Sequence, residues 1–227
     1  MRVLAVVPAF NEEECLEGTI ASLKAACPGI DYLVVNDGSK DATREIIAKN
    51  GFNGANLPIN TGLTSAFRTG MKYAWRHGYD AVVQFDADGQ HLPCYIPQMA
   101  QVLEEKGAEI VIGSRYLDGT QKPSGARGAG SRLITWLIKL TTGAVITDPT
   151  SGLRMYSRKM IELFCKGFDW APEPDLVAIV ARKYGPVVEI QTQMQERQGG
   201  ESYLKLGNVI RYMSRTCLSI VMSRFLR

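Results

Sequence analysis

Residues 82–91 read VVQFDADGQH. An apolar run of the kind a buried strand shows gives out at Phe85, and Asp86 and Asp88 follow with one residue between them. In an extended segment residues i and i+2 point the same way, so both carboxylates aim off the end of the strand. Two carboxylates a few ångströms apart raise one pKa and cost stability. A divalent cation removes that repulsion, and oxygen ligands in a loop suit Mg²⁺ or Mn²⁺, with further ligands drawn from a substrate's phosphates. The plainer alternative is a solvated loop whose acids meet lysines or backbone N–H groups. An Asp-x-Asp alone does not choose between them, so the choice rests on its surroundings.

Outward from this stretch, short β-rich runs alternate with helical ones. RVLAVVP (2–8) reads as a buried strand. NEEECLEGTIASLKAAC (11–27) reads as a helix with Asn11 as N-cap, acids in its first turn and Leu16, Ile20 and Leu23 on one face. DYLVVND (31–37) is a second strand, then a helix within 38–50 with Ser39 as a cap, a short strand near 55–59 and a helix over 62–78. DAVVQFDAD (80–88) follows, then a helix over 95–106 and the strand AEIVIGSR (108–115). Strands separated by helices of this length predict an α/β fold: a mostly parallel central sheet with helices on both faces.

The second half is less regular. GTQKPSGARGAG (119–130) reads as a mobile loop, SRLITWLIKLTTG (131–143) as an apolar-rich amphipathic helix, and DPTSGLRMYS (148–157) as turn-rich. KYGPVVEIQTQM (183–194) looks like a returning edge strand, and a loop and helix close the chain. Neither a repeat nor a low-complexity linker interrupts 227 residues that are 45% hydrophobic and 22% charged, enough for one full core. We divide the chain into a catalytic domain, 1–203, and a basic amphipathic helical extension, 204–227. The five scattered cysteines show no disulfide or metal spacing and read as reduced core fillers. The start shows no signal-peptide pattern, and no run reaches the roughly 18 apolar residues of a membrane span.

Four strand ends carry polar clusters: PAFNEE, NDGS, FDADGQH and GSRY. Each is an ordinary turn when taken singly. Together, at one edge of a parallel sheet, they describe a ligand crevice. Asp37 is placed to accept hydrogen bonds from a base or ribose, and Asn11 and Glu12 stand at a helix start where phosphate or sugar can dock.

PAFNEE, VVNDGS, NTG (60–62), FDADGQH and DPTSGLRMYS, in this order, resemble glycosyltransferase family 2, which has the GT-A fold, and within it the dolichol-phosphate mannosyltransferase-like branch with its bacterial polyprenyl-phosphate glycosyltransferases. The resemblance spans roughly residues 1–205. It implies transfer of a hexose, with inversion, from a UDP- or GDP-linked sugar to a polyprenyl phosphate. It places Pro8, Asn11, Glu12 and Asp37 in the nucleotide-binding segments, and Asp86 and Asp88 in the metal and diphosphate motif, with Gln90 following as in lipid-phosphate members. Asp148, Ser151, Gly152 and Arg154 match a segment near the acceptor. Arg197, Gly200 and Ser202 approximate a later segment at the donor diphosphate. Two positions depart from the pattern: Asn36 stands where an aspartate is usual, and Tyr203 where a lysine is usual, which moves phosphate-binding duty toward Arg197 and Lys205.

For the chemistry, Arg115, Arg127, Arg154 and Arg197 are candidates to hold phosphates through bidentate forks, Arg154 and Arg197 foremost. A phosphate acceptor needs no general base, since its second pKa is near 6. A hydroxyl acceptor on a growing polysaccharide or other glycan does need one. Asp148, Glu173 and Asp175 are the positions to watch, with Glu173 or Asp175 as base and helix capping as their ordinary role. His91 is placed to contact substrate.

A lipid acceptor is met at a bilayer. Residues 202–227 hold five basic residues and no acid, among many aliphatics, and with 131–143 they read as interfacial helices. We therefore expect peripheral attachment at the cytoplasmic face of a membrane, with a membrane partner protein or a homodimer as further partners. The aliphatic tail speaks against nucleic acid. A non-catalytic nucleotide-sugar or membrane-binding module is the rival class.

Overall fold

The computed structural model describes residues 1–120, 125–166, 170–195 and 206–223, with backbone alone at 125–127 and 206–212. Seven strands form one sheet: β1 (Val3–Ala9), β2 (Asp31–Asn36), β3 (Gly54–Asn56), β4 (Ala81–Gln84), β5 (Ile110–Ser114), β6 (Arg154–Ser157) and β7 (Val187–Gln191). Their order across the sheet is β3-β2-β1-β4-β6-β5-β7. β6 runs antiparallel to both its neighbours, β4 and β5, and the other pairings are parallel.

Among the described residues eight α-helices surround the sheet: α1 (Leu16–Ala26), α2 (Thr43–Lys49), α3 (Leu63–Arg76), α4 (Ile96–Glu105), α5 (Gly125–Thr142), α6 (Arg158–Cys165), α7 (Pro174–Lys183) and α8 (Leu206–Ser223). The period-2 pattern of the strands splits the core between two faces. Leu4 and Val6 of β1 pack with Phe67 and Met71 of α3 and with Tyr156 and Phe164. Ala5 and Val7 pack on the other side with Leu16, Ile20 and Leu23 of α1 and Met99 of α4. Among the described residues no helix is long and apolar enough to cross a membrane.

Three expectations change. All four residues of β6 sit in what reads as a turn-rich segment, because DPTSGLRMYS joins a tight turn to a central strand too short to show alternation. α5 starts at Gly125, inside the expected loop, and its later apolar residues Ile134, Leu137 and Ile138 anchor the helix in the core. Asn11 and Ser39 do not cap helices. α1 begins at Leu16 and α2 at Thr43. Asn11 instead takes a left-handed conformation (φ 55°). Its N–H donates to Ser39 Oγ at 3.0 Å, and its Oδ1 accepts the Lys40 N–H at 2.9 Å, clasping the loops after β1 and β2 together.

α8 lies on α5 and α7. Ile220 is buried in the core, Ser219 Oγ donates to Asp175 Oδ2 at 2.6 Å, and Arg182 donates to the Ser223 carbonyl.

Candidate active site

The parallel strands all end at one edge, and the strand order reverses direction between β1 and β4, where α/β sheets bind ligands. Asn11 and Glu12 follow β1, Asp37 follows β2, Asp86 and Asp88 follow β4 and Arg115 follows β5. Because β6 runs the other way, its beginning lies at this same edge. The turn 148–153 therefore joins the site although it precedes a strand rather than following one.

Asp86 is the more open of the paired acids, with its side chain 32% exposed, whereas Asp88 is nearly buried. Gln84 Nε2 donates to Asp86 Oδ1 at 3.1 Å, and the Gln90 N–H donates to Asp88 Oδ1 at 3.1 Å. Asp86 Oδ2 accepts no hydrogen bond among the described residues and lies 3.9 Å from His91 Nε2. Gly152, in the turn before β6, sits over that oxygen. A Cβ there would come within 2.7 Å of Asp86 Oδ2. The missing side chain thus leaves a cradle on a carboxylate oxygen. Hard oxygen donors with one face uncovered fit a Mg²⁺- or Mn²⁺-type cation. Among the described residues no group of three or more His, Cys, Asp or Glu is arranged to hold a metal ion, so the carboxylates of Asp86 and Asp88 are the candidates those residues offer.

Asp37 is 3% exposed and committed to its own loop: Oδ1 accepts from Thr61 N and Oγ1 at 2.9 and 3.0 Å, and Oδ2 accepts from Gly62 N at 2.7 Å. It thereby sets the entry to α3, and its part at the edge is to shape the NTG loop. Gly38 is required beside it, since a Cβ would lie 2.4 Å from the Ile59 carbonyl carbon, and its φ of +66° disfavours other residues. Glu12 donates its N–H to Thr43 Oγ1 at 2.9 Å, and Pro8 pairs in register with Val35.

Arg154, expected as a phosphate grip, has its donors turned to main-chain carbonyls. The side chain is 2% exposed, and its donors reach the carbonyls of Ser151, Pro149, Pro172 and Glu173 at 2.7–3.2 Å. It clamps the 148–153 turn to the loop before α7. Arg115 and Asp148 likewise occupy each other. Arg115 Nε and Nη2 donate to Asp148 Oδ2 and Oδ1 at 2.6 and 2.8 Å, and Asp148 is fully buried. Burial works against the Arg115 charge, but the hydrogen bond and charge of Asp148 outweigh it and hold the guanidinium pKa above its usual value. Asp148 is thus wholly enclosed, with both carboxylate oxygens accepting from Arg115. Glu189 of β7 supports the arrangement by accepting the Thr147 and Asp148 N–H groups at 2.7 and 2.8 Å.

Asp175 also has partners, accepting from its own helix at Leu176 N and from Ser219 Oγ. Glu173 stands at the N-cap position of α7 without capping through its side chain. Both line a cavity of about 280 Å³ with Thr64, Trp170, Arg215 and Ser219. Arg127, Arg197, Gly200 and Ser202 lie outside the residues whose side chains are described. Sequence reasoning passed over Gln84 and Glu189 and left Gly152 as a motif letter. For Gln84 and Glu189 the linear signal is a polar residue inside an apolar run.

The sequence profile described as Glycosyl transferase family 2 matches residues 4–164. The chain is 30% identical over 224 residues to undecaprenyl-phosphate mannosyltransferase of Micrococcus luteus, covering 92% of this chain and 90% of that one. It is 28% identical over 222 residues to polyprenol monophosphomannose synthase of Mycolicibacterium smegmatis, covering 92% and 83%. Among solved structures, glucosyl-3-phosphoglycerate synthase from Mycobacterium tuberculosis, in complex with Mn²⁺, uridine-diphosphate-glucose and phosphoglyceric acid, superimposes with a TM-score of 0.67 at 18% identity, covering 98% of this chain and 79% of that one.

Proposed function

Because this chain belongs to glycosyl transferase family 2 and is a glycosyltransferase with the GT-A fold, we propose that it transfers a hexose from a nucleotide-diphosphate sugar, UDP- or GDP-linked, to a polyprenyl phosphate, with inversion. The names of its relatives supply the acceptor class. The observation that carries the reading is the pair Asp86 and Asp88 at the end of β4, with Oδ2 of Asp86 left open beneath Gly152.

Asp86 and Asp88 are the residues that would hold a divalent cation, with the donor's diphosphate completing its shell. Bound there, Mg²⁺ or Mn²⁺ supplies Lewis-acid stabilisation of the departing nucleoside diphosphate. The chain's other groups keep that edge in shape. Asp37 holds the NTG loop, the Asn11–Ser39 clasp joins the loops after β1 and β2, and Arg154 with the Arg115–Asp148 pair fixes the turn that carries Gly152. Gln90 belongs to the same loop as the paired acids. Arg197 and Ser202 are the positions we assign to the donor diphosphate. The acceptor is its own nucleophile, since a phosphate oxygen is already anionic at neutral pH. Asp175, bonded to α7 and α8, is then free of any duty as general base.

We place the contact with the lipid on α5, in the catalytic domain (1–203), and on α8, in the extension (204–227), at the cytoplasmic face of the membrane. Leu133, Trp136 and Leu140 are exposed along one stripe of α5, and Leu218, Val221 and Met222 along one of α8. Neither helix contains an acid, while exposed Arg132, Lys139 and Arg215 provide positive charge. An apolar stripe bordered by cations suits an anionic leaflet.

The test is mass spectrometry of products after incubation with a panel of UDP- and GDP-sugars and a short-chain polyprenyl phosphate, with and without Mg²⁺ or Mn²⁺. Metal-dependent hexosyl-phosphoprenol is expected. Transfer confined to glycan hydroxyls would replace this reading, and Glu173 would then become the base to test.

A further inference from the structure

His91 lies five residues beyond Asp86 and is 6% exposed. Its Nδ1 accepts the main-chain N–H of Asp86 at 3.2 Å. A nitrogen that accepts carries no proton, so this contact uses the ring with its hydrogen on Nε2. The ring is held from several sides. It meets Phe85 edge-on, with centroids 5.7 Å apart. It lies against Gly152, where a Cβ would stand 3.3 Å from Cε1 and 3.4 Å from Nε2. Its own backbone bridges to Met194, and the Gln195 N–H donates to the Gln90 carbonyl at 3.0 Å.

What the ring does in return is local. β4 ends at Gln84, and the Phe85 N–H still reaches Val6 O at 3.0 Å. The Asp86 N–H is the first donor past the strand that the sheet does not satisfy, and a main-chain donor without an acceptor costs free energy and turns to find one. His91 supplies that acceptor and so fixes the peptide from which the Asp86 side chain departs. We propose that His91 is a positioning residue for the metal loop, setting the aim of the Asp86 carboxylate through the main chain. Gly152 is the neighbour that lets ring and carboxylate stand side by side. The inference rests on the reading that Asp86 and Asp88 hold a divalent cation, and it adds that this loop depends on a partner that is not itself a ligand.

The experiment measures Mn²⁺ affinity of the full chain by electron paramagnetic resonance of free Mn²⁺, with UDP or with GDP present, for wild type, Asp88→Asn, His91→Ala and His91→Asn. Asparagine can place an amide oxygen where Nδ1 stands, whereas alanine leaves the Asp86 N–H without its acceptor. Loss of an outer-shell partner of this kind weakens metal binding by about 10- to 100-fold, and that is the expected result for His91→Ala, with His91→Asn staying close to wild type. In turnover, His91→Ala should need more metal yet approach wild-type kcat at saturation, whereas general loosening lowers kcat at every metal concentration. Mn²⁺ binding by His91→Ala equal to wild type overturns the proposal, as does equal weakening in both His91 variants. Wild type binding no more tightly than Asp88→Asn would instead remove the metal reading itself, and this inference with it.

Discussion

Arg115 and Asp148 form a two-pronged ion pair, with contacts of 2.6 and 2.8 Å, in which the carboxylate is wholly buried and the guanidinium is partly open to solvent. The Arg115 N–H adds a third contact to the same carboxylate at 3.2 Å. Breaking such a pair from one side leaves a buried charge uncompensated. Arg115→Ala should therefore destabilise the protein by about 3–5 kcal/mol, read as a shifted midpoint in urea unfolding. A variant that unfolds like wild type but loses donor affinity would return Arg115 to phosphate binding.

Arg154→Met should be at least as damaging. Four backbone carbonyls lose their donor at once, and an acceptor stranded in the interior costs about 1–3 kcal/mol. Arg154→Lys, with fewer donors and no planar fork, should recover part of the loss. Thermal melting distinguishes the two variants, and normal stability in Arg154→Met would contradict the clamp.

Asp86→Asn and Asp88→Asn should each lower turnover by about 100-fold or more, the scale of transition-state charge stabilisation by a metal. Neither should destabilise the fold greatly, because an amide oxygen can still accept from Gln84 Nε2 or the Gln90 N–H. Chelation by EDTA should abolish wild-type turnover, and Mg²⁺ or Mn²⁺ should restore it. Turnover that persists in EDTA would rule out metal dependence.

Gly152→Ala is a finer probe. The new Cβ would stand 2.7 Å from Asp86 Oδ2, the far end of a side chain that can swing aside. The fold should survive while the carboxylate is displaced, and a shift of about 1 Å at a reacting site can cost about 100-fold in rate. Circular dichroism and steady-state kinetics in a metal titration check the two halves of that statement. Full activity at limiting metal would show that Asp86 does not need the open space.

Combined serine replacement of Leu133 and Leu140, with Trp136→Ala, should reduce partition into anionic vesicles at least about tenfold, given about 1.5–3 kcal/mol for each large apolar side chain buried. Turnover on a water-soluble short-chain acceptor should be unchanged. Vesicle flotation and light scattering are the measurements. Unchanged flotation, or loss of a dimer without loss of flotation, would assign this face to protein contact instead.

The legible part of the fold was the alternation in the first 115 residues, because β1, β2, β4 and β5 are runs of β-branched and aliphatic residues separated by longer helical segments, whereas β3, only Gly54–Asn56, carries no such run. β6 escaped because a four-residue strand buried on both faces has no period to read. Arg154 misled for a related reason: an arginine in a Gly-rich turn looks the same whether it faces a phosphate or four carbonyls.

Asp86 and Asp88 were readable as a feature of a strand end because the apolar run before them announced a strand, although β4 stops at Gln84 and Asp88 stands in a turn rather than in extended chain. The family, the α/β class and the motif order are likewise carried by the residue string. The oxygen left open on Asp86, the glycine above it and the histidine that accepts its N–H are not, since Gly152 reaches that edge only through the reversed direction of β6. So too with Asp37, Arg115 and Asp148, whose charges were visible but whose partners were not. Which acid meets a ligand and which meets an arginine depends on contacts between residues tens of positions apart, and those exist only once the sheet has brought its strand ends to one edge.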